Sequence, residues 1–314
     1  ALLLDGLFDE HIDAALIRKQ LGAARVALFT HVEAADAAVL ALPPVDAVRA
    51  LLARVADGED FATALRLMAA PAVFLPAVLR LQKGETPIKP DASLSQSADI
   101  LHMLTGRAPT AEQTAGLDAY LVTISDHGLN ASTFASRVIA STHAGLTSSV
   151  LAAISALKGP LHGGAPGPVL DMLDAVGKPE NARTWLSNAL DHGERLMGFG
   201  HRIYRVRDPR ADALKRAIRK LDATAGRLAY AEAVEAAALA ILRERKPNRS
   251  LQTNVEFYTA LLLEALAFPP DTFTCVFAMG RTIGWLAHAR EQIAGGKLVR
   301  PQSVYVGPMP KQAA

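Results

Sequence analysis

The sequence predicts an all-α protein, on three observations. Alanine and leucine dominate while aromatic residues make up only 5%, a mix that favours helix because these side chains lose little entropy there. Apolar residues recur at helical spacing, as in Val48, Leu51, Leu52 and Val55, and again in Leu214, Ala217, Ile218 and Leu221. Alternating runs of strand length are scarce, and Ser303-Val-Tyr-Val306 is the one place where a short hairpin is expected.

Taken in order, residues 1 to about 90 read as helices interrupted at Pro43-Pro44 and closed by Lys83-Gly-Glu-Thr-Pro87. Pro160 ends the helix before Gly163-Gly164, and Gly198-Phe-Gly200 marks another turn. Asp208-Pro209 starts a helix that runs on through Leu221. Aspartate can cap free N–H groups there, and proline at the first helical position gives up no hydrogen bond. The Ala-rich stretch from Ala229 to Leu242 reads as a packed helix, and further punctuation falls at Pro269-Pro270 and Gly295-Gly296.

Half of the 314 residues are hydrophobic, a fifth are charged and the formal charge is +2. The chain can therefore bury a large core and could hold two domains. Its mild basicity suits an anionic small molecule, and it lacks the concentrated Lys/Arg runs of a nucleic-acid binder, so no nucleic-acid partner is expected. Cys275 is the only cysteine, which rules out an intrachain disulfide and a Cys-rich metal site. No secretory signal is recognised, and charges interrupt the apolar stretches, so neither a membrane span nor a location outside the cytoplasm is expected.

Three histidines stand in glycine-flanked segments: Ser125-Asp-His127-Gly, Pro160-Leu-His162-Gly-Gly and Gly198-Phe-Gly-His201-Arg. Glycine allows backbone conformations and ligand approaches that other residues forbid. Histidine is the side chain best suited to moving a proton near neutral pH. Isolated arginines nearby would suit an anionic substrate. A metal reading of His162, His201 and Glu256 lacks any local ligand spacing, and no metal is expected.

Pro160-Leu-His162-Gly-Gly-Ala, Met197-Gly-Phe-Gly-His201-Arg, Asp208-Pro-Arg210-Ala, Asn254-Val-Glu-Phe-Tyr258 and Ala278-Met-Gly-Arg281-Thr-Ile-Gly-Trp285-Leu-Ala-His288 closely resemble the signature segments of citrate synthases, in the family's order. The resemblance covers roughly Ser93 to Gly307. It implies a two-domain helical fold, with residues 1–162 and 259–314 forming a large domain and 163–258 a small mobile one. It implies condensation of acetyl-CoA with oxaloacetate to citrate and CoA through an enol, followed by thioester hydrolysis. His162 would bind the thioester carbonyl, Glu256 would remove the methyl proton and His201 would polarise the ketone. His127, Arg210, Arg281 and Arg300 would hold oxaloacetate, the last from the partner subunit of a homodimer with shared sites. Arg205 would contact a CoA phosphate, with Lys158, Gly198 and Gly200 bordering that cleft. CoA enters as substrate and leaves as product, and no permanently bound cofactor is implied.

Alternatives remain at the sequence level. Arg281 could be a buried helix arginine paired with Glu291 or Asp271, and Arg300 an exposed tail residue. The activity could instead be that of a methylcitrate synthase using propionyl-CoA, or be lost from a protein that retains only the binding cleft. The sequence departs from the family pattern at Glu256, where aspartate is usual, and at Ile124, where many members carry a histidine. The early strand-and-turn segment of the family is not recognisable.

Overall fold

Short polar side chains start most of the helices in the computed structural model, which describes residues 2–9, 12–160, 162–163, 166–200, 206–221 and 225–308. The helices are α1 (Ala14–Glu33), α2 (Ala37–Leu40), α3 (Pro44–Leu52), α4 (Phe61–Gln82), α5 (Gln96–Thr105), α6 (Ala111–Thr123) and α7 (Ala131–Ala140). They continue with α8 (Leu146–Leu157), α9 (Pro166–Val176), α10 (Ala182–Asp191), α11 (Pro209–Ile218), α12 (Ala225–Arg245), α13 (Val255–Ala265) and α14 (Phe273–Ala294). Asp13, Asp36, Asp60, Ser95, Thr110, Asn130, Asp208 and Asn254 each accept a hydrogen bond from a backbone N–H in the first turn that follows. Each bond satisfies a donor that the helix itself leaves free. At α6, Thr110 and Gln113 close a reciprocal capping box.

The centre of the first packing group is α4, buried along most of its length against α1, α3, α5 and α14. It runs unbroken through Pro71 and Pro76, although each proline removes one helix hydrogen bond. By length and composition this helix could cross a membrane, yet 89% of its apolar window is buried inside the protein, as a core helix requires. A buried ion pair fixes α1 to α5. Arg25 Nε donates to Asp99 at 2.6 Å, and its other nitrogens donate to Gln96 and to the carbonyls of Asp91 and Leu94. With every guanidinium edge occupied, the desolvation of the charge is largely offset.

A second group joins α13 to α9 and α11, and α10 to α12, while α11 also rests on α6. The all-α expectation holds: among the described residues there is no strand, only an isolated antiparallel bridge between Phe199 and Thr253. The expected hairpin at Ser303–Val306 is corrected. Val304, Tyr305 and Val306 are exposed and form no ladder. An alternating run without a partner strand has nothing to satisfy its backbone or bury its apolar face.

Candidate active site

Helix α14 reads the loop between α6 and α7 with one face. Arg281, Trp285 and His288 stand at i, i+4 and i+7, so they line up along the helix. Arg281 Nε donates to the Ile124 carbonyl at 2.6 Å, Trp285 Nε1 to Ser132 Oγ at 3.1 Å, and His288 Nε2 lies 3.1 Å from Asp126. Gly280 and Gly284 make this approach feasible. A Cβ at Gly280 would press on Ile124, and one at Gly284 would overlap the Ser125 carbonyl. His127 lies in the loop so held.

His162 is tied to the first turn of α7, which follows that loop. The Ser132 backbone N–H donates to His162 Nε2 at 3.3 Å, and the Ser132 hydroxyl lies 2.9 Å from that nitrogen and 2.7 Å from Asn130 Oδ1. A backbone N–H can only donate, so Nε2 accepts and a neutral His162 carries its proton on Nδ1. Ser132 and Trp285 thus orient a ring that the sequence motifs alone identify only as a glycine-flanked histidine.

The starts of α11 and α13 are joined by one carboxylate. Asp208, 1% exposed, accepts from Arg210 N and Nε at 3.0 Å, from Arg210 Nη2 at 2.9 Å and from the Val255 N–H at 3.1 Å. The predicted cap is therefore present, and it also anchors the helix that carries Glu256. Burial pushes the Glu256 carboxyl up to about 7, with Arg210 pulling it down and Asp208 pushing it up. Its Oε2 is shut off from solvent and has no hydrogen-bond partner. A carboxyl poised near neutrality in this way is equipped to accept a proton.

Arg281 is 2% exposed and stacks on Phe277 at 4.7 Å. It forms no ion pair among the described residues, since Glu291 is engaged by Arg137 and His288 instead. The pairing with Glu291 or Asp271 is thus not formed. Burial, and then Arg210 beside it, lower the Arg281 pKa to about 10. Like charge beside a buried guanidinium favours binding of an anion there.

Gly198 and Gly200 have φ of +84° and +85°, and a side chain at either would press on Phe257 or Leu251. Their segment is knitted to residues 252–254, with Gly200 N donating to the Gln252 carbonyl at 2.7 Å and Asn254 N to the Gly198 carbonyl at 2.9 Å. Thr253, Tyr258 and Arg207 all donate to buried Glu235 on α12, at 2.6, 2.6 and 2.7 Å. His201 and Arg205 lie outside the described residues. Lys158, at the end of α8, pairs with Asp46 at 2.7 Å, and Arg300 is exposed on the arm that follows α14. A hollow of about 320 Å³ beside α9 is bordered by Asp171 and Asp271, the wrong charge for a phosphate. Among the described residues no group of three potential ligands is arranged for a metal ion.

A helical fold that gathers a high-pKa carboxyl, an oriented histidine, the buried Arg281 and the half-buried Arg210 holds the groups that acid–base chemistry beside an anion requires. The family model for the citrate synthase C-terminal domain matches residues 1–302, and the chain belongs to the citrate synthase family. It is 50% identical over 203 residues to a putative citrate synthase 2 of Mycobacterium tuberculosis, covering 65% of this chain and 54% of that protein. It is 40% identical over 245 residues to a citrate synthase of Haloferax volcanii, covering 78% and 64%. The chain thus spans about half to under two thirds of the length of these curated relatives. Among solved structures it resembles the Thermotoga maritima citrate synthase, with a TM-score of 0.82, 30% identity and coverage of 100% and 86%. A Thermoplasma acidophilum citrate synthase, solved with carboxymethyl coenzyme A and oxaloacetate, shares the fold with a TM-score of 0.84 at 24% identity, covering 100% and 86%.

Proposed function

We propose that the protein condenses acetyl-CoA with oxaloacetate to give citrate and CoA. The observation that carries this reading is the Glu256 carboxyl, raised to about 7 and unpartnered at Oε2, beside Arg210, which in turn adjoins the buried Arg281. Oxaloacetate would place its carboxylates against Arg210 and Arg281, where planar guanidinium groups offer paired donors. Arg300 would add a third cation from the partner subunit of a homodimer, a role that fits its exposure on an arm.

Glu256 would take a proton from the acetyl methyl group while His162 Nδ1–H donates to the thioester oxygen. A methyl beside a thioester is a weak carbon acid, so the base succeeds only if the developing oxyanion is stabilised at once. The resulting carbon nucleophile would attack the oxaloacetate ketone, polarised by His201 and positioned with help from His127. Water then cleaves the thioester and releases CoA. Arg205 would meet a CoA phosphate at a cleft bordered by Lys158, Gly198 and Gly200.

Residues 163–258 would act as a small domain closing on a large one made of 1–162 and 259–314. The packing of α13 on α9 and α11, and of α10 on α12, supports grouping these helices, with α13 crossing from one domain to the other. Closure would complete the site and exclude water. Steady-state release of free CoA thiol with acetyl-CoA against propionyl-CoA tests the substrate. A preference for acetyl-CoA is expected, and turnover with neither would sink the proposal. Mixing subunits carrying Arg300→Ala with subunits carrying His162→Ala should restore part of the lost activity. No restoration would exclude a shared site.

A further inference from the structure

Tyr120 on α6 has no part in the chemistry above, yet its position is unusual. The side chain is wholly buried, at 0% exposure, and its hydroxyl has no hydrogen-bond partner in the structure. A buried hydroxyl without a partner is costly, and natural cores rarely keep one without a use. Glu256 is the charged group that acts on it most strongly, ahead of Arg281 and Arg210. Thr259, one helical turn beyond Glu256, lies near the hydroxyl without forming a hydrogen bond of good geometry. The interior space between α6 and α13 therefore holds a donor with nothing to donate to and, at Glu256 Oε2, an acceptor with nothing to accept from.

We propose that Tyr120 is a positioning residue for Glu256: its hydroxyl donates, directly or across one water molecule, to the ionised Glu256 carboxylate and holds it aimed at the acyl methyl group. The proposal rests on the reading of Glu256 as the base. Glutamate carries one methylene more than the aspartate of the family pattern, and the additional rotatable bond needs a second restraint if the carboxylate is to be held in one place. Burial, and then the neighbouring Glu256 charge, push the Tyr120 phenol far above its ordinary range, so it stays a donor throughout the working range of pH. The other charges acting on the pair are Asp208 and Arg210 at the start of α11, Arg281 on α14 and, through Arg281, Asp126 in the α6–α7 loop. His127 and His162 also belong to the site, and both are present in the wild type and in the variant compared below.

The test is Tyr120→Phe, which removes one oxygen and keeps the ring. Losing a hydrogen bond to the ionised carboxylate should move the acidic limb of the kcat/KM profile up by about one pH unit and lower kcat at neutral pH about tenfold. The melting temperature should stay level or rise, because the lost hydroxyl had no partner in the free protein. An unchanged pH profile would overturn the proposal. So would a fall in melting temperature with activity lowered equally at every pH, which would make the hydroxyl merely structural. Absence of oxaloacetate-dependent turnover in the wild type would instead overturn the reading of the site itself.

Discussion

Replacing Glu256 with glutamine should change stability by an amount that depends on pH. Burial raises the Glu256 carboxyl from 4.5 to about 7. Between those values the folded chain holds a proton that the unfolded chain has released, so stability falls as pH rises through the window. Below about 4.5 both states are protonated and the penalty vanishes; above about 7 it is complete. At 1.36 kcal/mol per unit the penalty is on the order of 3 kcal/mol. Glutamine has nearly the same shape and never ionises, so it escapes this penalty, and any steric or hydrogen-bonding cost of the amide is the same at every pH. Urea unfolding of both proteins should show the variant gaining about 2–3 kcal/mol on the wild type between pH 5 and pH 8. A difference that stays constant across that range would refute the argument that Glu256 is held protonated by its surroundings.

The remaining predictions concern other parts of the molecule. Asp99→Ala strands Arg25 without its buried carboxylate and should cost about 3–5 kcal/mol, measured by denaturant unfolding. Ser132→Ala leaves the Trp285 indole N–H without its acceptor and His162 without the hydroxyl beside it. It should lower kcat about tenfold and destabilise by about 1–3 kcal/mol, read from steady-state rates and melting. Gly284→Ala would push the Ser125 carbonyl away and should raise the Michaelis constant for oxaloacetate, with a stability loss of about 1–3 kcal/mol. Cys275 is 1% exposed, and burial pushes its thiol up to about 12, so a thiol reagent should leave the folded protein unmodified and react only after unfolding.

Much of the fold was legible because it depends on short-range rules. Asp208 before Pro209 announced both a cap and a helix start. The Ala-rich segment proved to lie within the packed helix α12. The alternation at Ser303–Val306 misled because a strand is defined by a partner that no local pattern reveals. Ser132, Tyr120 and Glu235 carry no local signal either. A serine near a helix start, a tyrosine within a helix and a glutamate in an Ala-rich helix gain their meaning from His162, Glu256 and Arg207, which folding brings to them from 28 or more residues away. Ile124 looked like a lost polar group. In the structure it is a buried plug against Gly280 whose carbonyl holds Arg281 Nε. The contact is made by the backbone, which the sequence does not display.

The most direct test of the account is release of free CoA thiol from acetyl-CoA, with and without oxaloacetate, by the wild type and by Glu256→Gln. Release from the wild type is expected only when oxaloacetate is present. The variant should lose about a hundredfold to ten-thousandfold, the range for removing a general base, while still binding oxaloacetate. Release that does not need oxaloacetate, or a variant as active as the wild type, would contradict the assignment of Glu256 as the base of a condensing enzyme.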